Sequence, residues 1–325
     1  MCLSCGNGVV ATAIHLLAER GRIDYDAPVA RYWPAFAANG KAEITVGQVL
    51  NHTAGIPQLP PGWTVEDLCN WDRTCDGIAA LAPLWEPGSR TGYHARTFGF
   101  ILGELVRRVD GRAFGHFVDE ELCRPLGVED MYFGVPASVE PRLARLEDTP
   151  PPAPPQDWSP PPLMAVVFPS NLPPTAALLD RPEVHHASIP SSGGVMNARS
   201  LARMYAMLAS NGVWEGQRFL SEERLHEATA LQTSEPDAVI GMPMNKALGY
   251  MLGGEWSPMG PSSTAFGHPG SGGSIGFADP RHRFAFALTK TRLVTAMPGE
   301  DAAYLVAEAT RVALGLSPTE PMRAV

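Results

Sequence analysis

The sequence has no excess of positive charge and no long run of apolar residues. Its 25 lysines and arginines are outnumbered by 34 aspartates and glutamates, which gives a formal net charge of -9 at pH 7. A negatively charged chain is a poor partner for nucleic acid or for anionic membranes, so we expect neither. No apolar run reaches about 18 residues, so we expect no membrane-spanning helix.

A secretion leader is not visible, and cysteines are few. No basic segment is followed by the apolar core of a signal peptide, so we expect a cytoplasmic protein. The five cysteines are Cys2, Cys5, Cys69, Cys75 and Cys123. An odd count is typical of reduced thiols. Zinc held by the first four is an alternative, but the six-residue spacing of its second pair is unusual, so we expect no metal.

Helical periodicity dominates the chain before its C-terminal part. Val9–Arg20 places apolar residues at helical spacing and is followed by Gly21, a frequent residue after a helix end. Ser4 therefore lies near the start of this helix, where free N–H groups favour an anion. Further helices are predicted at Ile44–Asn51, Val65–Leu81, Thr97–Val109, Ala113–Cys123, Leu201–Ala209, Glu222–Leu231 and Asp301–Leu314. Residues 150–162 hold eight prolines and are predicted as an ordered surface crossing.

A glycine-rich stretch from Gly267 to Pro280 lies between two apolar segments, Leu248–Leu252 and Phe284–Leu288. It predicts a strand, a tight glycine turn and a return strand. His268 adjoins this turn, and exposed backbone N–H groups at a strand edge can bind a carbonyl oxygen. A hairpin without chemistry is the alternative. The order of helices, then strands, then a final helix indicates an α+β fold.

Five phrases of the sequence, taken in this order, resemble the serine β-lactamase and penicillin-recognising superfamily, and more narrowly its class C-like esterase branch. They are GVVATAIHLLAERGRIDYDAPVARYWPAF, ITVGQVLNHTAGIP, WEPGSRTGYHARTFGFILGELVRRVDGR, IPSSGGVMNARSLARMYAML and GHPGSGGSIGFADP. The resemblance implies a β-lactamase/transpeptidase-like fold as a single domain over residues 1–325. A helical subdomain of roughly residues 45–185 would pack on an antiparallel sheet and closing helix of roughly residues 245–315.

The resemblance also implies a catalytic serine. Ser4 occupies the position of the serine that opens the first core helix in a Ser-x-x-Lys motif. Tyr93 matches the tyrosine that supports proton transfer, and His268-Pro269-Gly270 matches the third motif, on the strand beside the serine. Because a serine hydroxyl is a weak nucleophile at neutral pH, such a site needs a proton acceptor.

The substrate implied by the resemblance is a small ester or amide, and no cofactor is expected. Attack on its carbonyl builds negative charge on oxygen, which two backbone N–H groups can hold. By position these groups belong to Ser4 and Ser271. The predicted substrate contacts are His268, Gly270, His94 and Asn7. An acyl group on Ser4 would then pass to water or to another acceptor.

The sequence departs from the family pattern at the motif lysine. The run Ser4-Cys5-Gly6-Asn7 places an asparagine where the family has that lysine. Asparagine takes up no proton at neutral pH and carries no charge that could lower the pKa of Tyr93. A catalytically weak or inactive relative, which binds a ligand or a partner, is therefore the alternative to a serine hydrolase.

The second departure is the short segment before Ser4. Family members have strands there that pair with the C-terminal sheet, so we expect a sheet with those strands missing and one open edge. An open edge invites pairing with another chain. Self-association through this edge is accordingly expected, and an interaction protein of that kind is the third alternative.

Overall fold

The computed structural model describes residues 1–150, 159–254, 257–294 and 301–316. Within these residues, most helices precede one four-stranded antiparallel sheet, and one more helix follows it. In the same residues, three two-stranded pairings lie outside that sheet, and one of them is completed by a strand that follows it in the chain. This arrangement confirms the predicted α+β class. Most of the proline-rich segment that was predicted as a surface crossing lies outside the described residues.

Helices form most of the regular structure. In the described residues the α-helices are α1 (Cys5–Glu19), α2 (Val29–Tyr32), α3 (Val46–Leu50), α4 (Val65–Leu68), α5 (Trp71–Ala79), α6 (Thr97–Asp110), α7 (Phe114–Val118), α8 (Arg124–Leu126), α9 (Met164–Val167), α10 (Ala176–Leu179), α11 (Pro182–His186), α12 (Ala198–Ala209), α13 (Glu222–Thr229) and α14 (Ala302–Ala313). A π-helical turn at Asp119–Cys123 joins α7 to α8. Short 3-10 turns lie at Pro34–Ala37, Glu140–Arg142 and Pro280–His282.

The strands of the described residues are β1 (Met131–Tyr132), β2 (Glu147–Asp148), β3 (Val195–Met196), β4 (Val213–Trp214), β5 (Gln217–Arg218), β6 (Met251–Leu252), β7 (Phe266–Gly270), β8 (Ser274–Asp279), β9 (Phe284–Leu288) and β10 (Arg292–Leu293). The main sheet has the order β6-β7-β8-β9, and every neighbouring pair is antiparallel. The predicted strand, glycine turn and return strand are confirmed by β7 and β8. Gly272 and Gly273 make the turn with φ of 85° and 89°.

Helix α1 is buried along its length, because every residue from Cys5 to Ala18 is shielded from solvent. It packs against α6 and β7. Two glycines permit this close packing. A Cβ atom at Gly6 would lie 2.3 Å from the Pro190 carbonyl oxygen, and one at Gly8 would lie 2.1 Å from the Tyr205 hydroxyl oxygen. The helix therefore enters the core with its N-terminal end beside β7.

Local signals set most helix boundaries. Thr45 caps α3 in a reciprocal pair with Gln48. Gly111 follows α6 with φ of 94°, in the left-handed region that glycine adopts freely. The predicted helix Val65–Leu81 is wrong as a single element, because Asn70 accepts a hydrogen bond from the Arg73 N–H and begins α5 separately.

Strand β9 is at one edge of the main sheet, and no strand of the described residues pairs with its outer side. Self-association through that edge stays a prediction.

No helix in the described ranges combines the length and apolarity that a membrane span requires. Likewise, no group of three or more His, Cys, Asp or Glu side chains among the described residues could hold a metal ion. All five cysteines are free.

The contact between Gly8 and Tyr205 gives a prediction for stability. We expect Gly8→Ala to lower the free energy of unfolding by about 1–3 kcal/mol, because the new methyl group must displace the Tyr205 hydroxyl. Gly8→Ala combined with Tyr205→Phe should regain most of the loss, since the second change removes the nearest atom. Urea unfolding of both variants and of Tyr205→Phe alone measures this. A double variant no more stable than Gly8→Ala would contradict the packing argument.

Candidate active site

Ser4 lies immediately before α1, and its hydroxyl is not used to cap the helix. The preceding residue, Leu3, has φ of 46°, which is uncommon for a residue other than glycine. Leu3 is held in this conformation by burial in an apolar cluster with Leu146 and Leu179. Strained backbone of this kind often occurs at functional sites, where the surrounding structure enforces it. Ser4 is thus presented, half-buried, by a fixed and strained turn.

His268 is neutral and has a defined tautomer. It is buried on β7, and burial lowers its pKa from the usual 6.5 to about 4, although a bond to the Pro269 carbonyl opposes this shift. Its Nδ1 lies 2.7 Å from that carbonyl oxygen. A carbonyl only accepts hydrogen bonds, so Nδ1 must carry the proton and Nε2 must be an acceptor.

Asn7 joins His268 to Tyr93. Its Nδ2 lies 3.3 Å from His268 Nε2 and donates to the Tyr93 hydroxyl oxygen at 2.9 Å. Because Nε2 is an acceptor, the amide nitrogen rather than the amide oxygen must face the ring. Asn7 is completely buried, and its Oδ1 has no hydrogen-bond partner among the described residues. The asparagine therefore keeps one acceptor that the protein does not use.

Tyr93 lies in the loop before α6, and its side chain is buried. Burial raises the pKa of its phenol well above the usual value, while hydrogen bonds from Ser4 and Asn7 oppose the rise. Its ring centroid lies 5.2 Å from that of His52 and 6.0 Å from that of His268. The hydroxyl is thus neutral at physiological pH and lies beside Ser4.

His94, a predicted substrate contact, is bonded to the loop instead. Its Nδ1 donates to the Gly92 carbonyl at 2.6 Å, and its Nε2 accepts from the Ile56 N–H at 2.9 Å. The His94 backbone N–H in turn donates to His52 Nδ1 at 3.2 Å. Both ring nitrogens of His94 are therefore occupied by the main chain, and the residue shapes the loop that carries Tyr93.

The two backbone N–H groups that were predicted to hold an oxyanion belong to Ser4 and Ser271. Among the described residues, neither the Ser4 N–H nor the Ser271 N–H donates a hydrogen bond to a protein acceptor. Gly270, which precedes Ser271, packs against the segment before Ser4, because a Cβ atom there would lie 2.3 Å from the Cys2 carbonyl oxygen. Strand β7 thus reaches the turn before Ser4 at a distance that only glycine permits.

One contact to Tyr93 was not indicated by the sequence. The Tyr93 backbone N–H donates to Asp237 Oδ1 at 3.1 Å, across 144 residues of chain. Asp237 is completely buried and forms an ion pair with the equally buried Lys246. Neither residue belongs to a motif of the sequence, so only the folded chain reveals them.

Comparison with known proteins places this site in context. The family model described as Beta-lactamase matches residues 3–311. Esterase/beta-lactamase LipL of Mycobacterium tuberculosis is 37% identical over 324 residues, which cover 94% of this chain and 72% of that protein.

Solved structures agree in fold. A penicillin-binding protein homologue from Caulobacter crescentus has a TM-score of 0.86 and 35% identity, over 96% of this chain and 82% of its own. A family VIII carboxylesterase has a TM-score of 0.87 and 35% identity, over 95% of this chain and 81% of its own. Since two of these three relatives are named as esterases, the comparisons give no support to the alternative of an inactive relative.

The buried histidines predict how stability depends on pH. Burial lowers the pKa of His15 to about 3, of His94 and His268 to about 4, and of His52 well below its usual value. As the pH falls below about 6.5, the unfolded chain takes up protons that the folded chain does not. We therefore expect the free energy of unfolding to fall between about pH 6.5 and pH 4, by at most about 1.4 kcal/mol per pH unit for each histidine.

Urea unfolding at a series of pH values across this window measures the slope. The variant His15→Gln is the control, because it removes one titrating ring outside the active site and should make the slope shallower. Stability that stays constant from about pH 7 to pH 5 would contradict the prediction.

Proposed function

The chain belongs to the beta-lactamase family, and we propose that it is a serine hydrolase of the esterase type, which acts on small acyl esters through an acyl intermediate on Ser4. One observation carries the proposal. Asn7 bonds both Tyr93 and His268 beside Ser4, at the buried start of α1. The relatives with esterase names lend it support.

The proposed reaction begins with attack of Ser4 Oγ on the ester carbonyl carbon. A bond forms between them, and the carbonyl oxygen becomes an oxyanion held by the N–H groups of Ser4 and Ser271. Tyr93 accepts the Ser4 proton as its own proton passes to the alcohol oxygen, and the ester C–O bond breaks. Water then attacks the acyl carbonyl carbon, the bond from that carbon to Ser4 Oγ breaks, the carboxylic acid leaves, and one proton of the water returns to Ser4 Oγ.

The neutral character of the site favours esters over amides. An alcohol leaves an ester with little protonation, whereas an amine must be protonated before it departs, and this site holds no strong acid. Asn7, Tyr93 and His268 are all uncharged at neutral pH. We therefore assign uncharged esters with good leaving groups as the preferred substrates.

Hydrolysis of p-nitrophenyl acetate or butyrate tests the nucleophile. We expect turnover by the wild-type chain and a loss of about 100-fold or more in Ser4→Ala, because that variant has no Oγ to carry the acyl group. Ser271→Ala is the matched control, since it keeps the backbone N–H and should retain most activity. Mass spectrometry of the quenched reaction should find the acyl group on the Ser4 peptide. Equal rates in wild type and Ser4→Ala would overturn the proposal.

Asn7→Lys tests the missing base. A lysine at this buried position has a lowered pKa and can accept the Ser4 proton, so we expect ester turnover to rise by about 100-fold or more. Asn7→Met is the control. Methionine has about the length of lysine but no ionisable group, so this variant should give no gain in ester turnover. If Asn7→Lys folds normally and is no faster than wild type, Asn7 does not limit proton transfer.

A further inference from the structure

A buried ion pair lies behind the loop that carries Tyr93 and takes no part in the reaction proposed above. Asp237 and Lys246 have 0% and 1% exposure, and Lys246 Nζ lies 2.5 Å from Asp237 Oδ2. Lys246 also donates to the Thr91 hydroxyl at 2.7 Å. The lysine therefore bonds one carboxylate oxygen and one residue of the Tyr93 loop.

The other carboxylate oxygen of Asp237 is bonded to the main chain. Oδ1 accepts from the N–H groups of Val239 and Ile240, each at 2.8 Å, and from that of Tyr93 at 3.1 Å. The Ala238 N–H donates to the Thr91 carbonyl at 2.9 Å. The segment 237–246 thus holds the loop on both sides of Gly92, through backbone and side-chain bonds.

Stability alone does not explain this pair. Replacing a buried ion pair by well-packed apolar residues is often neutral or stabilising, because both charges lose their hydration on folding. A carboxylate does supply what an apolar side chain does not, namely a fixed direction for the Tyr93 N–H. Burial acts to raise the pKa of Asp237, but the Lys246 charge and the hydrogen bonds it accepts lower it overall, so Asp237 stays an anion.

We propose that the Asp237–Lys246 pair is a positioning device for Tyr93, which fixes its backbone so that its hydroxyl stays beside Ser4 and Asn7. This inference rests on the proposed hydrolase function. The geometry leaves little freedom, because the Tyr93 hydroxyl must meet Asn7 Nδ2 at 2.9 Å. Misplacing a reacting group by about 1 Å can cost about 100-fold in rate. Asp237 and Lys246 do not touch the reacting atoms in this proposal.

Two double variants separate the effect of the Asp237 hydrogen bond from the effect of the Asp237 charge. Asp237→Asn/Lys246→Met keeps an oxygen that can accept from the Tyr93 N–H and removes both charges. Asp237→Ala/Lys246→Met removes the acceptor as well. We expect kcat for p-nitrophenyl acetate to fall by about 10- to 100-fold in the alanine variant, with KM within about twofold, and to stay near wild type in the asparagine variant.

The same pair of variants in a Tyr93→Phe background separates positioning from general destabilisation. If the pair acts through the Tyr93 hydroxyl, that hydroxyl must be present for the pair to matter. In the Tyr93→Phe background, Asp237→Ala/Lys246→Met should therefore lower kcat by less than about twofold. Equal losses in both backgrounds, from an active wild type, would overturn the positioning role. Amide exchange of the Tyr93 N–H is the second readout, and it should be at least about tenfold faster in the alanine than in the asparagine variant.

Absence of any ester turnover in wild type would overturn the proposed function, and the catalytic role of the pair with it. Amide exchange separates the two failures, because it reports how Tyr93 is held whether or not the chain turns over an ester. Unchanged exchange in the alanine variant would show that Asp237 does not hold Tyr93, even in an active enzyme.

Discussion

The Asn7 amide nitrogen donates to both His268 and Tyr93, and the rest of the site depends on this orientation of the amide. The Pro269 carbonyl makes Nδ1 of His268 the protonated nitrogen, which turns Nε2 into an acceptor. Asn7 must then present its nitrogen to the ring and to the Tyr93 oxygen. The Tyr93 proton is left to point away from Asn7. A backbone carbonyl on β7 thus determines the orientation of a phenol on a distant loop.

Burial explains why this network is neutral. A charge at the start of α1 would lose its hydration among Asn7, Tyr93 and His268, none of which is ionised. Two buried charges lie together behind the Tyr93 loop, as Asp237 and Lys246, where each neutralises the other. The interior therefore separates two tasks. Neutral groups face Ser4, and the paired charges hold the loop from behind.

Sequence reasoning reached the parts that local chemistry determines. The glycine turn after β7 and the helical nature of α1, α6 and α12 follow from residue type and spacing over a few positions. It placed Ser4, Asn7, Tyr93 and His268 near one another only through the family resemblance. It could not assign His94 to the loop backbone or find Asp237, because those hydrogen bonds depend on how distant segments pack. The break at Asn70 was missed because apolar periodicity continues across it.

The separation of these residues along the chain has a practical consequence. Asn7 and His268 are 261 positions apart, and Tyr93 and Asp237 are 144 positions apart. Contacts between such distant positions are the slowest to form as a chain acquires its native topology. A fragment that ends before β7 contains no His268 and cannot build the network. The hydrogen bond between Asn7 and His268 would therefore serve as a measure of refolding yield. It forms only in molecules in which the start of α1 has packed against β7.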